Sequence, residues 1–328
     1  MIYPEFLKEG DTIGVTALSA GVGRNLDDYK FSIKTIENLG FKVCETKSVR
    51  VNNKVSNTAE ERAKELDRLV NDEDISMVLN ACGGDFALEV MPHINEESIK
   101  NNIKWFCGAS DPTSFLYYVT TKFDIATLYG YNAGSFDQEI LHKSQFNFFD
   151  IISGEIPVQH SFDLYEDNKK ERVKSYALSK KVYWEALNGN CKFSGRLIGG
   201  CVDVLRNLLG TRFDYTKEFV ERYKEDGIVW YFDNFALGCE DFYLTLFQMR
   251  EAGWFNYVKG IVVGRVMYPS GFYDDFKYQD ALLKIFGDLP IIFNADIGHV
   301  CPKMTLINGA LVNVECSDGK GSIKFKLD

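Results

Sequence analysis

Short apolar segments and helical segments alternate through the first 130 residues, and this alternation restricts the fold more than any other feature of the sequence. Helices are predicted at 27–39 and after Thr58, which opens a capping box with Glu61. Strands regularly separated by helices form a parallel sheet with right-handed crossovers. The sequence therefore predicts an N-terminal, doubly wound (flavodoxin-like) α/β domain. The predicted strands are 12–17, 41–45, 75–81, 103–107 and 125–129.

The alternation breaks between residues 141 and 190 and then resumes. Residues 163–174 are strongly polar, which predicts a linker with an exposed or mobile loop or, equally, an ordinary surface crossover. Apolar strands return from residue 194 onward, and residues 304–326 alternate in the manner of short antiparallel strands. We predict a first domain at 1–160, a linker and loop at 161–190, and a second α/β domain with added antiparallel strands at 191–328. The two domains are expected to meet at a cleft.

Charge and cysteine usage exclude several classes of partner. The net charge of -10 argues against non-specific binding to nucleic acid or to an anionic membrane. The first residues lack a basic region followed by an apolar core, and no apolar run approaches the length of a membrane span. The eight cysteines are scattered and include no C-x-x-C pair. A cytoplasmic protein is expected.

No cofactor or metal is predicted. With four histidines and no cluster of Cys and His at ligand spacing, the sequence does not indicate a zinc site. Gly21-Val22-Gly23 lacks the third glycine and the context of a dinucleotide-binding turn. No phosphate-binding loop with the pattern G-x-x-x-x-G-K-[ST] is present either.

Ser110 lies on a tight turn between a predicted buried strand and a predicted helix. Such a turn pushes the serine hydroxyl out of the sheet and holds it near a helix N-terminus, where developing negative charge is favoured. Ser110 is therefore a candidate nucleophile. A structural interpretation stays open, because Asp111 is a good N-cap and Pro112 a good first helical residue.

A nucleophilic serine needs a base, and the base needs a carboxylate that orients it. Of the four histidines, His299 lies just past the carboxyl end of a predicted strand, at the edge where α/β sheets place ligands. Asp233 occupies the equivalent position after its own strand, although a solvated strand-end carboxylate or a helix cap would also fit. Competing acids are Asp296, Glu240 and Asp241.

Glycines follow another strand at Gly83-Gly84-Asp85. There the backbone N–H groups of Gly84 or Asp85 could converge with that of Asp111 to form an oxyanion hole. A generic tight turn between strand and helix would carry the same residues. Both interpretations remain open on the sequence alone.

Six short segments in order along the chain resemble the family of LD-carboxypeptidases and microcin C immunity proteins, which are serine peptidases. The resemblance spans nearly the whole chain. The segments are Gly10-Asp11-Thr12-Ile13-Gly14-Val15, Gly83-Gly84, Gly108-Ala109-Ser110-Asp111, Gly195-Arg196-Leu197-Ile198-Gly199-Gly200 with Gly210-Thr211, Ala252-Gly253-Trp254-Phe255 with Gly264-Arg265, and Asp296-Ile297-Gly298-His299.

The resemblance implies a Ser–His–Glu triad, in which Ser110 matches the nucleophile and His299 the base. The position of the family's glutamate is occupied here by Asp233, whose side chain is one methylene shorter, and Ala109 replaces the usual tyrosine. A displacement of about 1 Å can lower a rate on the order of a hundredfold. The resemblance thus raises the question of whether Asp233 reaches His299.

The resemblance also implies a substrate class and a homodimer. The expected activity is hydrolysis of an amide bond in a murein peptide ending in D-Ala. The alternatives are a microcin C immunity-type amidase acting on aminoacyl-nucleotide conjugates and a non-catalytic ligand-binding homologue with an altered triad. For the amidase, Tyr183 and Trp184 are candidates for stacking on a base, although such residues are more often packing.

Overall fold

The computed structural model describes residues 1–166, 174–271 and 275–327. Residues 167–173, within the segment predicted to be a loop, lie outside the described residues. The helices are α1 (Leu26–Asn38), α2 (Ala59–Asn71), α3 (Glu96–Asn101), α4 (Thr113–Phe123), α5 (Lys143–Ile152), α6 (Val202–Leu205), α7 (Thr216–Arg222), α8 (Cys239–Glu251) and α9 (Tyr278–Phe286). No helix among the described residues is both long and apolar enough to span a membrane.

The described strands follow the same chain order. They are β1 (Thr12–Thr16), β2 (Lys42–Glu45), β3 (Ile75–Asn80), β4 (Trp105–Gly108), β5 (Thr127–Tyr129), β6 (Gln159–His160), β7 (Leu164–Glu166), β8 (Leu178–Lys181), β9 (Glu185–Ala186), β10 (Cys191–Cys201), β11 (Ile228–Asp233), β12 (Val258–Gly264), β13 (Ile291–Ala295), β14 (Leu306–Asn308), β15 (Leu311–Ser317) and β16 (Lys320–Lys326). β7 and β8, on either side of 167–173, form a two-stranded antiparallel sheet.

The first sheet confirms the predicted doubly wound fold. Its five parallel strands lie in the order β2-β1-β3-β4-β5, which is the flavodoxin-like order. β3 and β4 are buried almost throughout, as expected for strands that are covered by helices on both faces. Thr58 caps α2, since its hydroxyl accepts a hydrogen bond from the Glu61 amide at 3.3 Å.

The second sheet confirms the predicted mixture of parallel and antiparallel strands. β10, β11, β12 and β13 are parallel neighbours, whereas β15, β16 and β6 continue the sheet on one side in antiparallel orientation. β9 closes the other edge, antiparallel to β13. The carboxyl ends of β11 and β13 therefore lie at the same edge of this sheet, with β12 between them.

Strands from late in the sequence belong to both sheets. β14 pairs antiparallel with β5, so that Asn308 lies opposite Thr127 in the first sheet. The next strand, β15, belongs to the second sheet, and Asn308-Gly309 thus marks a change of sheet rather than a hairpin turn. The predicted division of the chain into two sequential units is therefore crossed by residues 306–308.

Helix α4 lies between the two sheets and carries the start of the candidate site. Tyr117 on this helix stacks on Trp254, with ring centroids 5.6 Å apart, and its hydroxyl is 2.7 Å from that of Thr216. At the N-terminal end of α4, the Thr113 hydroxyl accepts a hydrogen bond from the Cys201 amide at 3.2 Å. The helix that follows Ser110 is thus packed directly against the second half of the chain.

Candidate active site

Ser110 lies in a strained turn at the carboxyl end of β4. Its φ of 69° falls in the left-handed region, which is uncommon for a residue with a side chain and is typical of a nucleophile on a strand-to-helix turn. The turn is held by Asn132, whose side chain accepts a hydrogen bond from the Ala109 amide at 3.0 Å and donates one to the Ala109 carbonyl at 3.3 Å. Such strain persists only where the surrounding contacts enforce it.

The glycine loop after β3 is in direct contact with Ser110. A Cβ on Gly83 would lie 2.9 Å from the Ser110 Cβ and 3.0 Å from its Oγ, so that only glycine fits there without displacement. Asp111 does not cap α4. Its carboxylate instead accepts a hydrogen bond from the Ala87 amide at 2.7 Å, which ties the glycine loop to the serine turn.

Backbone N–H donors are available beside Ser110. The N–H groups of Gly84, Asp85 and Asp111 donate to no acceptor among the residues that the structure describes. Burial raises the pKa of the Asp111 carboxyl, although hydrogen bonds from Ser19 and the Ala87 amide oppose the shift. Two neighbouring loops with free N–H groups can stabilise negative charge on a bound oxygen.

The buried carboxylate of Asp233, at the end of β11, contacts the partly buried His299 in the loop after β13. The His299 Nδ1 lies 2.8 Å from the Asp233 Oδ2 and 3.0 Å from Oδ1. Burial alone would raise the pKa of Asp233, but His299 and a hydrogen bond from Tyr129 hold it below its ordinary value. Despite its shorter side chain, Asp233 therefore reaches the histidine, and Nε2 remains the nitrogen that can accept a proton.

The loop with His299 crosses over β12 to reach Asp233, and two glycines permit the crossing. A Cβ on Gly264 would lie 2.3 Å from the Ile297 carbonyl oxygen. A Cβ on Gly298, whose φ is 99°, would lie 2.1 Å from the Asp233 Oδ1. The loop therefore passes close enough to Asp233 for His299 to reach its carboxylate.

Arg265 and Asp296 anchor the same loop. The Arg265 guanidinium donates to Asp296 at 2.7 Å and to the Pro302 carbonyl at 3.2 Å, and both charged side chains are buried. Asp296 also accepts a hydrogen bond from the Trp184 indole at 2.8 Å. Asp296, one of the competing acids, is thus occupied by these partners rather than by His299.

Trp184 does not have the position expected of a stacking residue. Its side chain is fully buried and its indole N–H is bound to Asp296. A base could not stack on it in this arrangement. Tyr183 beside it is exposed and packs over Gly319.

Tyr129 joins the two halves of the site, although no sequence motif singles it out. Its hydroxyl donates to the Asp233 Oδ2 at 2.5 Å and accepts a hydrogen bond from the Ser110 amide at 3.2 Å. Burial and the nearby Asp233 carboxylate raise the pKa of Tyr129 far above its ordinary value, which keeps the phenol protonated as a donor. Its place at the end of β5, one strand from Ser110, was the only signal in the sequence.

The other three histidines and two of the competing acids lie elsewhere. His142 caps α5 by accepting a hydrogen bond from the Ser144 amide. The His93 Nε2 lies 3.8 Å from the Glu60 Oε1, and His160 is exposed on β6. Glu240 and Asp241 are in the first turn of α8, where the helix dipole stabilises acidic side chains. Among the histidines, only His299 is paired with a buried carboxylate in the described structure.

Two sequence profiles match the chain over most of its length. Residues 13–130 match the LD-carboxypeptidase N-terminal domain, and residues 194–314 match the LD-carboxypeptidase C-terminal domain. The chain belongs to the LD-carboxypeptidase family. Ser110 lies in the first matched region, and Asp233 and His299 lie in the second.

Relatives with similar sequences and folds carry two kinds of name. A Bacillus subtilis protein named "Putative carboxypeptidase YocD" is 25% identical over 98% of both chains. The microcin C7 self-immunity protein MccF of Escherichia coli is 23% identical, over 97% of this chain and 94% of its own length. A structure of MccF in complex with aspartyl sulfamoyl adenosine superposes with a TM-score of 0.85 at 21% identity, covering 100% of this chain and 99% of the other.

Proposed function

We propose that this member of the LD-carboxypeptidase family is a serine carboxypeptidase that releases the terminal D-Ala of a murein peptide. The observation that carries the proposal is the chain of hydrogen bonds from the Ser110 amide through Tyr129 and Asp233 to His299. It links the turn of a strained serine to a histidine–carboxylate pair, and serine hydrolysis requires these three groups.

In this proposal, Ser110 Oγ attacks the carbonyl carbon of the scissile amide while His299 Nε2 takes its proton. Asp233 holds the imidazole with Nδ1–H toward the carboxylate and stabilises the imidazolium that forms. The carbonyl oxygen becomes an oxyanion that the N–H groups of Gly84 or Asp85 and of Asp111 receive. His299 then gives its proton to the leaving nitrogen, which departs as the free amine.

The resulting ester is hydrolysed by the same groups. His299 removes a proton from water as the water attacks the acyl carbon, and it returns a proton to Ser110 Oγ as the ester bond breaks. The products are the shortened peptide acid and free D-Ala. The reaction requires no cofactor, and the proposed location of the enzyme is the cytoplasm.

The experiment is release of D-Ala from a murein tetrapeptide by the full chain, together with labelling by a fluorophosphonate. We expect Ser110→Ala to abolish both, and Ser114→Ala, a nearby buried serine on α4, to retain both. Full labelling of Ser110→Ala would overturn the nucleophile assignment. Labelling without D-Ala release would retain the serine hydrolase and reject the substrate.

A second candidate is an amidase acting on aminoacyl-nucleotide conjugates. It is favoured by the match to MccF over 97% of the chain and by the MccF complex with aspartyl sulfamoyl adenosine. The buried position of Trp184 removes one residue that was expected to hold a base. Hydrolysis of processed microcin C in preference to a murein tetrapeptide would select this candidate.

The family resemblance also implies a homodimer. This remains a prediction, which sedimentation analysis of the full chain would test.

A further inference from the structure

Lys303 is a buried lysine in the loop that carries His299. It lies between β13 and β14, and only 9% of its surface is exposed. Its ammonium lies 5.2 Å from the centre of the Tyr131 ring, and it forms no ion pair and no hydrogen bond with the residues that the structure describes. The backbone of Lys303 is fixed, since its carbonyl accepts a hydrogen bond from the Tyr131 hydroxyl at 3.0 Å. The ammonium is therefore held in place without a carboxylate partner from the described part of the chain.

An unpaired ammonium in a buried position destabilises the folded state. Removing a charge from water is unfavourable unless an opposite charge or hydrogen bonds compensate for it, and the face of an aromatic ring compensates only in part. Arg265, a second buried cation beside this loop, shows the usual arrangement, because its guanidinium is paired with Asp296 at 2.7 Å. Lys303 has no such pair and can receive an anion that binds from solution.

Lys303 lies beside both halves of the candidate site. Tyr131, whose ring faces the ammonium, is followed by Asn132, whose side chain holds the serine turn. On the other side, burial raises the pKa of Asp233, and the charges of His299 and Lys303 are among the causes that bring it below its ordinary value. The ammonium is therefore close enough to act on the carboxylate that orients the base.

The C-terminal residue of a bound peptide would have its carboxylate on this side of the site. In the proposed reaction, His299 gives its proton to the leaving nitrogen, and a single carbon atom separates that nitrogen from the terminal carboxylate. A carboxylate in this position lies near Asp233, whose negative charge repels it. A cation is needed to offset this repulsion, and Lys303 supplies one.

We propose that Lys303 binds the terminal carboxylate of the substrate and thereby restricts hydrolysis to the last peptide bond. The proposal rests on the carboxypeptidase function proposed above, because it assigns the residue that selects a free C-terminus. A charge-assisted hydrogen bond between the ammonium and the carboxylate compensates both charges. A peptide without a free carboxylate leaves the ammonium unpaired and does not gain this contribution.

The experiment compares a murein tetrapeptide that ends in D-Ala with the same peptide ending in D-alaninamide, and it measures release of the last residue from both. We expect kcat/KM of the wild-type chain to favour the free acid by about tenfold to a hundredfold, the effect of one hydrogen bond between charged groups. Lys303→Met keeps a side chain of similar length without the charge, and it should lose most of this preference through an effect on the acid alone. Lys324→Met, which removes a charge from an exposed position on β16, is the matched control and should keep the preference.

Other roles of Lys303 predict different results. If its charge acted only on Asp233, Lys303→Met would lower kcat/KM equally for both peptides, and this would overturn the proposal. Equal kcat/KM for both peptides in the wild-type chain would overturn it as well. Urea unfolding without substrate is a second measurement. Because Lys303→Met removes an unpaired buried charge, its midpoint should equal or exceed that of the wild type. A lower midpoint together with equal loss for both peptides would limit Lys303 to a structural role.

Binding to Ser110→Ala separates this proposal from the proposed function. Calorimetry with the same two peptides is expected to show tighter binding of the free acid, and Ser110→Ala/Lys303→Met should lose that difference. Preferential binding of the acid without D-Ala release by the wild-type chain would retain the carboxylate site and reject the carboxypeptidase. Release of D-Ala without any preference in binding or turnover would do the reverse, and absence of both would reject the two together.

Discussion

The N-terminal half of the site is held by backbone conformation, and the C-terminal half by buried charge. The Ser110 turn is fixed by a left-handed φ, by a glycine neighbour and by hydrogen bonds between the Ala109 backbone and the Asn132 side chain. His299 is fixed through side chains, namely its own pair with Asp233 and the pair of Arg265 with Asp296 that anchors its loop. The difference means that steric changes should damage the first half most, whereas changes of charge should damage the second.

The largest effect is expected from removal of charge in the C-terminal half. Asp233→Asn keeps the size of the side chain but removes the acceptor that fixes the Nδ1–H tautomer of His299. In serine proteases, the equivalent change lowers kcat on the order of 10⁴-fold. We expect a loss of that order for D-Ala release, measured at neutral pH, with circular dichroism as the control for folding. Activity within tenfold of wild type would mean that Asp233 does not orient the base.

The matching steric change in the N-terminal half is Gly83→Ala. The added methyl group would lie 2.9 Å from the Ser110 Cβ and would shift the glycine loop with its N–H donors. Loss of an oxyanion donor lowers kcat on the order of 10²- to 10³-fold. Gly134→Ala is the matched control, because a Cβ there has only ordinary contacts at 3.6 Å or beyond. Equal activity of both variants would contradict a steric basis for this half.

Tyr129 tests the connection between the halves. Tyr129→Phe removes the donor to Asp233 and the acceptor for the Ser110 amide, both in a buried position. A hydrogen bond to a charged group contributes about 1.5–3 kcal/mol, so that kcat should fall by roughly ten- to a hundredfold. Because Tyr129 acts through other residues, KM should change little. A change confined to KM or to stability would limit Tyr129 to packing.

The smallest effect distinguishes the halves by their response to acid. The pKa of Asp233 is lowered, so the stability that its carboxylate contributes is lost as pH falls below about 4. The pKa of Asp111 is raised, so folding gains stability as pH falls toward about 4. Relative to Asp233→Asn, the wild type should lose stability in acid, and relative to Asp111→Asn it should gain. Urea unfolding between pH 7 and 3 measures both slopes, and slopes of one sign would contradict the assignment.

The sequence was most informative where local patterns determine structure. Alternating strands and helices predicted both sheets, and a serine between a strand and a helix predicted the Ser110 turn. Asp233 and His299 could be placed at strand ends, but their pairing depends on how closely the loop at Gly298 passes over β12. That approach is a property of packing between residues distant in sequence.

Other features were beyond prediction for the same reason. The role of Tyr129 follows from a contact across the interface of the two sheets, and that of Trp184 from a contact with Asp296, which is distant in sequence. An aromatic residue at a strand end or in an irregular segment has no local pattern that separates packing from function. The pairing of β5 with β14 brings together Thr127 and Asn308, which are far apart in the sequence. The residues of β14 themselves resemble any short apolar strand and do not indicate their partner.

This last pairing bears on how the protein is made. On the ribosome, the outer edge of β5 has no partner until residues 306–308 have been synthesised and have left the exit tunnel. An unpaired strand edge is a site for association with other chains. During most of translation, the N-terminal sheet is therefore an incomplete structure that must be kept from its neighbours. Because β14 follows the histidine loop directly in the sequence, the first sheet gains this strand and the site gains its histidine at the same stage of synthesis.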